Sequence, residues 1–220
     1  MMMTYEQLRQ NEKIKTYILS ADNSLKAMGY TEHNFAHVTK TAVTAAYILT
    51  ELGYDEHTVE LAKIAGLMHD IGNLVNRVDH SQSGAIMAFR ILDKLDFDAA
   101  DIAVIVSAIG NHDEGTGVAV NPAAAALILA DKSDVRRSRV RNADFTKFDI
   151  HDRVNYSVVS SELELCDNNQ AIKLTLEIDT TISPVMDYFE IFLGRMSMCR
   201  RAAESLGLKF KLVINGQNLI

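Results

Sequence analysis

Cysteine is scarce in this chain of 220 residues, and its scarcity excludes two classes of protein. The two cysteines, Cys166 and Cys199, are too few for a disulfide framework, and their spacing fits no zinc-ligand pattern. Disulfide-rich secreted folds and cysteine-based zinc folds are therefore excluded. We expect a reduced, cytoplasmic setting.

The sequence also lacks long apolar runs and an excess of positive charge. The N-terminal residues 1–15 contain no apolar signal core, and no apolar run approaches the roughly 18 residues that suggest a membrane-spanning helix. We therefore expect neither a secretion signal nor a membrane partner. The 22 basic residues against 29 acidic ones give a net charge of −7. This balance argues against a nucleic-acid partner, because phosphate contacts need clustered Lys and Arg.

Helical periodicity is present throughout residues 1–145. Apolar residues three or four positions apart predict helices over 5–28, 32–52, 56–70, 81–95, 99–112 and 121–134. Gly29, Gly53 and Gly72 lie where three of these helices should stop, and Pro122 suits the start of the sixth. The pattern indicates a helical bundle.

The pattern changes over residues 153–220. Strands are predicted over 156–165 and 172–178 as a hairpin, followed by a helix over 183–206 and a strand over 210–214. The predicted fold is therefore mainly α, with a helical domain at 1–145 and a small C-terminal α+β (ββαβ) unit at 153–220. This unit could form a homodimer, cover a cleft or bind a small regulator, and the sequence leaves these three roles open.

Histidines and acids stand at the edges of the apolar helices. His69-Asp70 closes the segment LAKIAGLMHDIGN, and Asp131 follows AAAALILA, where an acid is costly unless it is paired or bound to metal. Each histidine alone is more often a satisfied polar residue than a ligand. Together, four imidazoles and two carboxylates suffice for two metal sites with positions open to water. The set is completed by His37, His80 and His112.

This order of residues, H…HD…H…H…D, resembles the HD-domain metal-dependent phosphohydrolase superfamily over about residues 30–140. The local flanks carry the resemblance: HDIG at 69–72, DHS at 79–81, IGNH at 109–112 and ADK at 130–132. The resemblance implies an HD-type helical bundle with two metal sites bridged by the aspartate of the HD pair. The first would use His37, His69, Asp70 and Asp131, and the second would use Asp70, His80 and His112.

The resemblance also implies a function. A metal-bound hydroxide would cleave a phosphoester of a nucleotide or a similar small phosphorylated molecule. Iron or manganese is expected, ahead of Zn, Ni, Co and Mg, because mixed imidazole and carboxylate sites accept several metals. The alternative is a non-catalytic, metal-containing module that senses a ligand on the same scaffold. The complete ligand set favours the enzyme.

Further residues are assigned roles around the metal site. Asp70 is predicted to orient the nucleophile, and His33 to give a proton to the leaving group, although His33 also suits a surface position. Lys40, three residues after His37, is predicted to act in catalysis and in phosphate binding. Arg77 suits a phosphate contact or a solvated loop, and the basic stretch at 136–141 suits phosphate capture or a salt-bridged helix end. The predicted substrate contacts are Lys40, Asn73, Lys132 and Arg136.

Overall fold

The computed structural model describes residues 3–220. The helical region contains α1 (Tyr5–Arg9), α2 (Glu12–Ala27), α3 (Phe35–Glu51), α4 (Glu56–Met68), α5 (His80–Asp93), α6 (Ala99–Gly110) and α7 (Pro122–Lys132). The C-terminal region contains α8 (Ile150–Ser157), β1 (Val158–Cys166), β2 (Ala171–Ile178), α9 (Val185–Ser205), β3 (Lys209–Ile214) and β4 (Gln217–Asn218). Short 3₁₀ turns cover Ile71–Leu74, Arg137–Arg139 and Phe145–Lys147.

Asparagine and aspartate side chains set the helix starts. Asn34 and Asn121 accept backbone N–H groups at the first turns of α3 and α7. The prediction of one helix over 5–28 was wrong, because an asparagine side chain starts a second helix within this range. Asn11 accepts the backbone N–H groups of Lys13 and Ile14, so the chain ends one helix at Arg9 and begins another at Glu12.

The centre of the bundle is α7. Its residues 123–132 are all buried, and its neighbours are α3, α4, α6 and α9. A helix that is apolar on all sides is normally surrounded by other elements. The run of alanines at 123–126 keeps α7 thin, so four helices reach it without long side chains between them. Asp131 and Lys132 therefore lie at the end of a helix with little access to solvent.

The close crossing of α3 and α4 depends on Gly66. A Cβ atom at this position would lie 2.7 Å from the Cα of Ala42 and 2.9 Å from its backbone nitrogen, distances that real Cβ atoms do not adopt. Gly66 lies one helical turn before His69, and Ala42 follows His37 by five residues. The missing side chain at Gly66 thus brings two histidine-bearing segments close to each other.

The C-terminal strands form one sheet in the order β1-β2-β3-β4. The pair β1 and β2 is antiparallel, with Leu163 opposite Leu174, and β2 and β3 are parallel, joined by the crossover helix α9. The ββαβ order is confirmed, with a short β4 added. Helix α8 was not predicted.

The predicted fold class, a mainly helical bundle with a small C-terminal α+β unit, is confirmed. The division at 1–145 and 153–220 stays a prediction. Helix α9 packs against α7, so the C-terminal unit lies against the helix that carries Asp131. Between residues 3 and 220, no helix combines the length and apolar character that crossing a membrane requires.

Replacing Gly66 with alanine is expected to lower the free energy of unfolding by about 1–3 kcal/mol, because the new methyl group would overlap the Ala42 backbone. Gly194 in α9 is a matched control, since a methyl group there meets nothing within 4 Å. Alanine at Gly194 should raise the free energy of unfolding by about 0.5–1 kcal/mol through helix propensity. Urea unfolding followed by circular dichroism measures both changes. A stabilising Gly66→Ala would contradict the close helix crossing.

Candidate metal centre

Six side chains from distant parts of the chain meet at one buried point of the bundle. Each is at most 8% exposed, and each stands near the start or end of a helix. They are His37 in the first turn of α3, His69 and Asp70 after α4, His80 at the start of α5, His112 after α6 and Asp131 at the end of α7. The structure brings together all six residues that the sequence predicted as metal ligands.

Four of these residues form a first set. The Nε2 atoms of His37 and His69 lie 3.3 Å apart. Asp131 Oδ1 lies 3.2 and 3.6 Å from these nitrogens, and Asp70 Oδ2 lies 3.5 and 3.2 Å from them. With metal–ligand bonds of about 2.1 Å, the ligand atoms of a tetrahedral site lie about 3.4 Å apart. The spacing of this set is the spacing of ligands around one ion.

A second set shares Asp70 with the first. The Nε2 atoms of His80 and His112 lie 3.2 Å apart, and Asp70 Oδ1 lies 3.6 and 3.9 Å from them. Asp113 Oδ1 lies 4.0 Å from the His80 nitrogen. The two oxygens of Asp70 therefore face different pairs of histidines, with Oδ2 turned to the first set and Oδ1 to the second.

Hydrogen bonds behind the four rings fix their protonation pattern. A carbonyl oxygen or a carboxylate only accepts, so each Nδ1 carries a proton and each Nε2 of a neutral ring presents a lone pair. Nitrogen lone pairs then face each other in both sets, the pattern of metal-binding imidazoles. The Nδ1 acceptors are the Asp134 carboxylate for His37 (2.8 Å) and the carbonyls of Gly66 for His69 (2.8 Å), Arg77 for His80 (3.1 Å) and Ile109 for His112 (2.6 Å).

The donor set fits a divalent transition metal. Asp70 Oδ2 is buried and receives no hydrogen bond from any residue in the described range 3–220. Leaving a buried carboxylate oxygen and several nitrogen lone pairs without a positive partner costs several kcal/mol. Imidazole nitrogens and carboxylate oxygens suit first-row divalent metals. A cation in each set would satisfy all of these atoms at once.

The charges of the centre also show this need for a cation. Burial opposes a charge on His69, but the carboxylates of Asp70 and Asp131 outweigh it and raise the pKa of this imidazole to about 10. Burial likewise disfavours an ionised Asp70, yet His69 and His33 hold the pKa of its carboxyl well below its usual range. The protein thus keeps the carboxylates ionised, and a bound cation would take over the role of the imidazole proton.

Asp134 supports the first set from behind and is fully buried. Its Oδ2 accepts the His37 Nδ1 proton, and its Oδ1 pairs with Lys40 Nζ at 2.9 Å and Arg136 Nε at 3.0 Å. Burial would raise the pKa of Asp134, but the His37 hydrogen bond and the cations Arg139 and Lys40 lower it well below its usual range. Asp134 therefore acts as a charged anchor that orients the His37 ring.

A cavity lies beside the centre. Three of the predicted substrate contacts are not among the residues that line it. Lys40 and Arg136 both point at Asp134, as described above, and their substrate roles stay predictions. Asn73 is fully buried, and its amide donates to Asp70 at the main-chain oxygen (2.9 Å) and at Oδ1 (3.0 Å). This contact orients the shared carboxylate, and the substrate contact of Asn73 stays a prediction.

A cavity of about 350 Å³ opens onto the centre, and four cations line it. Lys132 Nζ lies 2.8 Å from Asp131 Oδ2, so it neutralises the oxygen that faces away from the histidines. Part of the wall comes from the start of α8, with the side chains of Asp149, His151, Asp152 and Asn155. The four cations are Arg77, Lys132, Arg139 and Arg195.

His33 also lines the cavity, beside the ring of His37 at a centroid distance of 5.4 Å. Burial and the charge of Arg139 lower the pKa of His33 well below its usual value. Its Nδ1 donates to the carbonyl of Thr31 at 2.7 Å, which leaves Nε2 as an acceptor. The predicted role as proton donor is therefore disfavoured by these contacts, although its place beside the centre agrees with the prediction.

Sequence reasoning missed Asp134, Arg195 and the α8 wall. For Asp134 a signal existed, because it lies three residues after Asp131 at the same helix end. For Arg195 no local signal exists, because it lies on a helix far along the chain in a segment without recognisable catalytic spacing. The sequence leaves Arg77 open between a phosphate contact and a solvated loop position, and in the structure its Nη1 lies 3.3 Å from Asn73 Oδ1 and 3.4 Å from His80 Nε2.

Comparison with known proteins places these residues in a family. The family model described as HD domain matches residues 34–136, which include all six residues of the centre. A crystal structure of a predicted HD superfamily hydrolase from an uncultured Thermotogales bacterium is 26% identical, with a TM-score of 0.44 over 56% of this chain and 67% of that chain.

Three curated proteins are also similar to this chain. Uncharacterized protein MJ1020 of Methanocaldococcus jannaschii is 24% identical over 213 residues, which cover 86% of this chain and 80% of that protein. Ribonuclease Y of Enterococcus faecalis is 26% identical over 158 residues, and that of Thermosipho melanesiensis is 27% identical over 157 residues. Both matches cover 70% of this chain but 28% of the ribonuclease. Because the HD-domain model spans the whole cluster of histidines and aspartates, residues 34–136 are assigned to the HD-domain superfamily.

Proposed function

We propose that this protein is a metal-dependent phosphohydrolase that cleaves a phosphoester of a nucleotide or a similar small phosphorylated molecule. The observation that carries the proposal is the placement of Asp70, whose Oδ2 faces His37 and His69 while Oδ1 faces His80 and His112. A carboxylate shared between two ligand sets is the arrangement of a two-metal site for displacement at phosphorus.

Two divalent ions, iron or manganese, are proposed for the two sets. The first would be held by His37, His69, Asp70 and Asp131, and the second by Asp70, His80 and His112. When bound, the ions would supply a water of lowered pKa and neutralise charge on the phosphoryl oxygens. The Nδ1 hydrogen bonds and the amide of Asn73 hold the ligand atoms in place before substrate arrives, so little reorganisation is needed.

The residues of the cavity support a phosphorylated substrate. Arg139 is 4% exposed, and its Nε and Nη1 donate to the carbonyls of Glu32 and Asp134, so the guanidinium is fixed at the cavity wall. Arg77 also lines the cavity, and its Nη1 contacts Asn73 Oδ1 and His80 Nε2. Positive groups held in a poorly solvated wall attract phosphate more strongly than mobile surface lysines do.

His33 Nε2 is proposed as the group that receives a hydrogen bond inside the cavity. Since Nδ1 is committed to the carbonyl of Thr31, Nε2 is the acceptor that remains for a water or a substrate hydroxyl. This role replaces the proton donation that the sequence suggested. It requires no change in the protonation of the ring at the start of the reaction.

A small substrate is favoured over RNA, the substrate that the name of ribonuclease Y indicates for two relatives. The cavity has the size of a small-molecule site, and Asp149 and Asp152 line its wall. The net charge of −7 would repel a long polyanion. We therefore propose a compact phosphoester and treat RNA as the comparison substrate.

A panel of phosphoesters tests this function. Full-length protein loaded with Mn²⁺ or Fe²⁺ is incubated with nucleoside mono-, di- and triphosphates, dinucleoside polyphosphates, cyclic dinucleotides and an RNA oligonucleotide, and product release is measured. We expect turnover of at least one small phosphoester at a rate above that for RNA. RNA as the preferred substrate would contradict the size argument. Metal-loaded protein that hydrolyses nothing would support the sensing module instead.

Asp70→Asn is expected to lower the bound metal in both sets and to abolish hydrolysis, because one carboxylate serves both. Elemental analysis of protein purified without chelator measures the metal content, and circular dichroism checks the fold. Asp93→Asn, at an exposed position of the same region, is the matched control and should retain both metal and activity. Full metal content in Asp70→Asn would remove Asp70 from the proposed ligands.

Asp134→Asn is expected to weaken metal affinity about 10- to 100-fold, because the charged partner behind His37 is lost. Competition with a chromophoric chelator measures the affinity. Lys40→Met is the comparison variant, since Lys40 contacts the same carboxylate from a half-exposed position, and its effect on affinity should be less than threefold. A raised KM in Lys40→Met with unchanged metal affinity would support the predicted substrate role of Lys40.

A further inference from the structure

Helix α9 of the C-terminal unit places one charged residue at the cavity of the metal centre. Its residues Phe192, Met196 and Cys199 are buried at helical spacing, and α9 packs against α7. Arg195 stands on the same side as this buried stripe and lines the cavity. The side chain is 24% exposed, so it is neither a core residue nor a freely solvated one.

Two contacts hold Arg195 in a defined position. Its Nε lies 2.6 Å from Glu114 Oε1, and its guanidinium carbon lies 4.4 Å from the centre of the Phe192 ring. The ring contact restricts the plane of the guanidinium, and the charge of Glu114 attracts its Nε side, although Glu114 Oε1 accepts no hydrogen bond within the described residues. Within residues 3–220, its two terminal nitrogens donate no hydrogen bond, and Glu114 is the acidic residue with which Arg195 forms an ion pair.

Glu114 connects Arg195 to the metal centre. This residue follows His112 by two positions, and the oxygen that pairs with Arg195 lies 3.4 Å from Lys132 Nζ. Lys132 is 4% exposed and contacts Asp131 at 2.8 Å. A continuous chain of ion pairs therefore runs from the C-terminal unit through Glu114 and Lys132 to Asp131.

Arg195 differs from the other cations of the cavity in which of its nitrogens already contact the protein. Lys132 is committed to two carboxylates, and Arg139 uses Nε and Nη1 on main-chain carbonyls. Arg77 contacts Asn73 and His80 through Nη1. Arg139 also engages its Nε, so within the described residues Arg195 is the one of the four that pairs through Nε while its terminal nitrogens donate no hydrogen bond.

We propose that Arg195 is a substrate-specificity residue that binds two oxygens of a phosphate group, and that Glu114 is the residue that positions it. A guanidinium held through Nε presents its terminal nitrogens as a planar fork, which matches two phosphate oxygens. The C-terminal unit thereby completes the site instead of only covering it. The proposal deepens the proposed phosphohydrolase function and rests on it for the identity of the anion.

Inorganic phosphate is the probe that tests this role without requiring turnover. Titration calorimetry on metal-loaded, full-length protein should show phosphate binding that weakens about 10- to 100-fold in Arg195→Met, the loss expected for charge-assisted hydrogen bonds. Arg195→Lys should recover part of the affinity, because it keeps the charge but loses the fork. Arg200→Met is the matched control on the same helix, where Arg200 is exposed and pairs with Glu204.

Glu114→Gln tests the positioning role separately. It keeps Arg195 in the chain but removes the charge that holds Nε, so phosphate binding should weaken about threefold to tenfold at unchanged metal content. If a hydrolysed substrate is known, Arg195→Met should raise KM more than it lowers kcat. A purely structural role would lower the active fraction of the protein and leave KM unchanged.

The outcomes separate this proposal from the proposed function. Phosphate binding that is equal in wild type, Arg195→Met and Arg200→Met overturns the proposal while hydrolysis can stand. Equal losses in Arg195→Met and Arg200→Met also overturn it, because the effect then comes from helix charge. A wild type that binds phosphate through Arg195 but hydrolyses no phosphoester supports the anion site and contradicts the proposed function.

Discussion

The structure is organised around a buried cluster of imidazole nitrogens and carboxylate oxygens that face one another at ligand spacing. Each of the four imidazoles donates a hydrogen bond from Nδ1 to an acceptor behind it. The Nε2 atoms of His37 and His69 therefore face each other at 3.3 Å. Asp70 adds a carboxylate oxygen without a donor. Burying this arrangement costs free energy unless protons or cations compensate it, and therefore the arrangement indicates function more than packing.

Small residues make this convergence possible. Gly66 lets α3 and α4 cross with backbone contact at Ala42, which draws the segments of His37 and His69 together. Gly72 has the same effect on the other side, because a side chain there would collide with the main chain of His80 and Gly84. Without these glycines the two ligand sets could not share one carboxylate. The G of the HDIG segment is thus a packing requirement of the metal centre.

How much of the site the sequence reveals depends on the distance between partners along the chain. The six residues of the centre were predictable because each histidine or aspartate stands at the edge of an apolar helical pattern, as Asp131 does after eight apolar residues. Asp134 supports His37 from 97 residues away, and no periodicity of either segment predicts that pair. The pairing of Arg195 with Glu114 depends on how α9 docks on α7, which is a property of the packed core. The apolar pattern also predicted one continuous first helix. The structure has two, because the side chain of Asn11 caps the start of a new helix.

Electrostatics reconciles the acidic chain with the anionic substrate that we propose. At long range the net charge of −7 repels polyanions, and salt reduces this effect beyond a distance of about 8–10 Å. Inside the cavity the balance reverses locally, because Arg77, Arg139 and Arg195 lie on the wall where little water screens them. Each of these cations is fixed by a neutral carbonyl, an amide or one carboxylate, so positive charge remains for a ligand. A compact phosphoester can enter this region, while a long nucleic acid would keep most of its phosphates against the repelling surface.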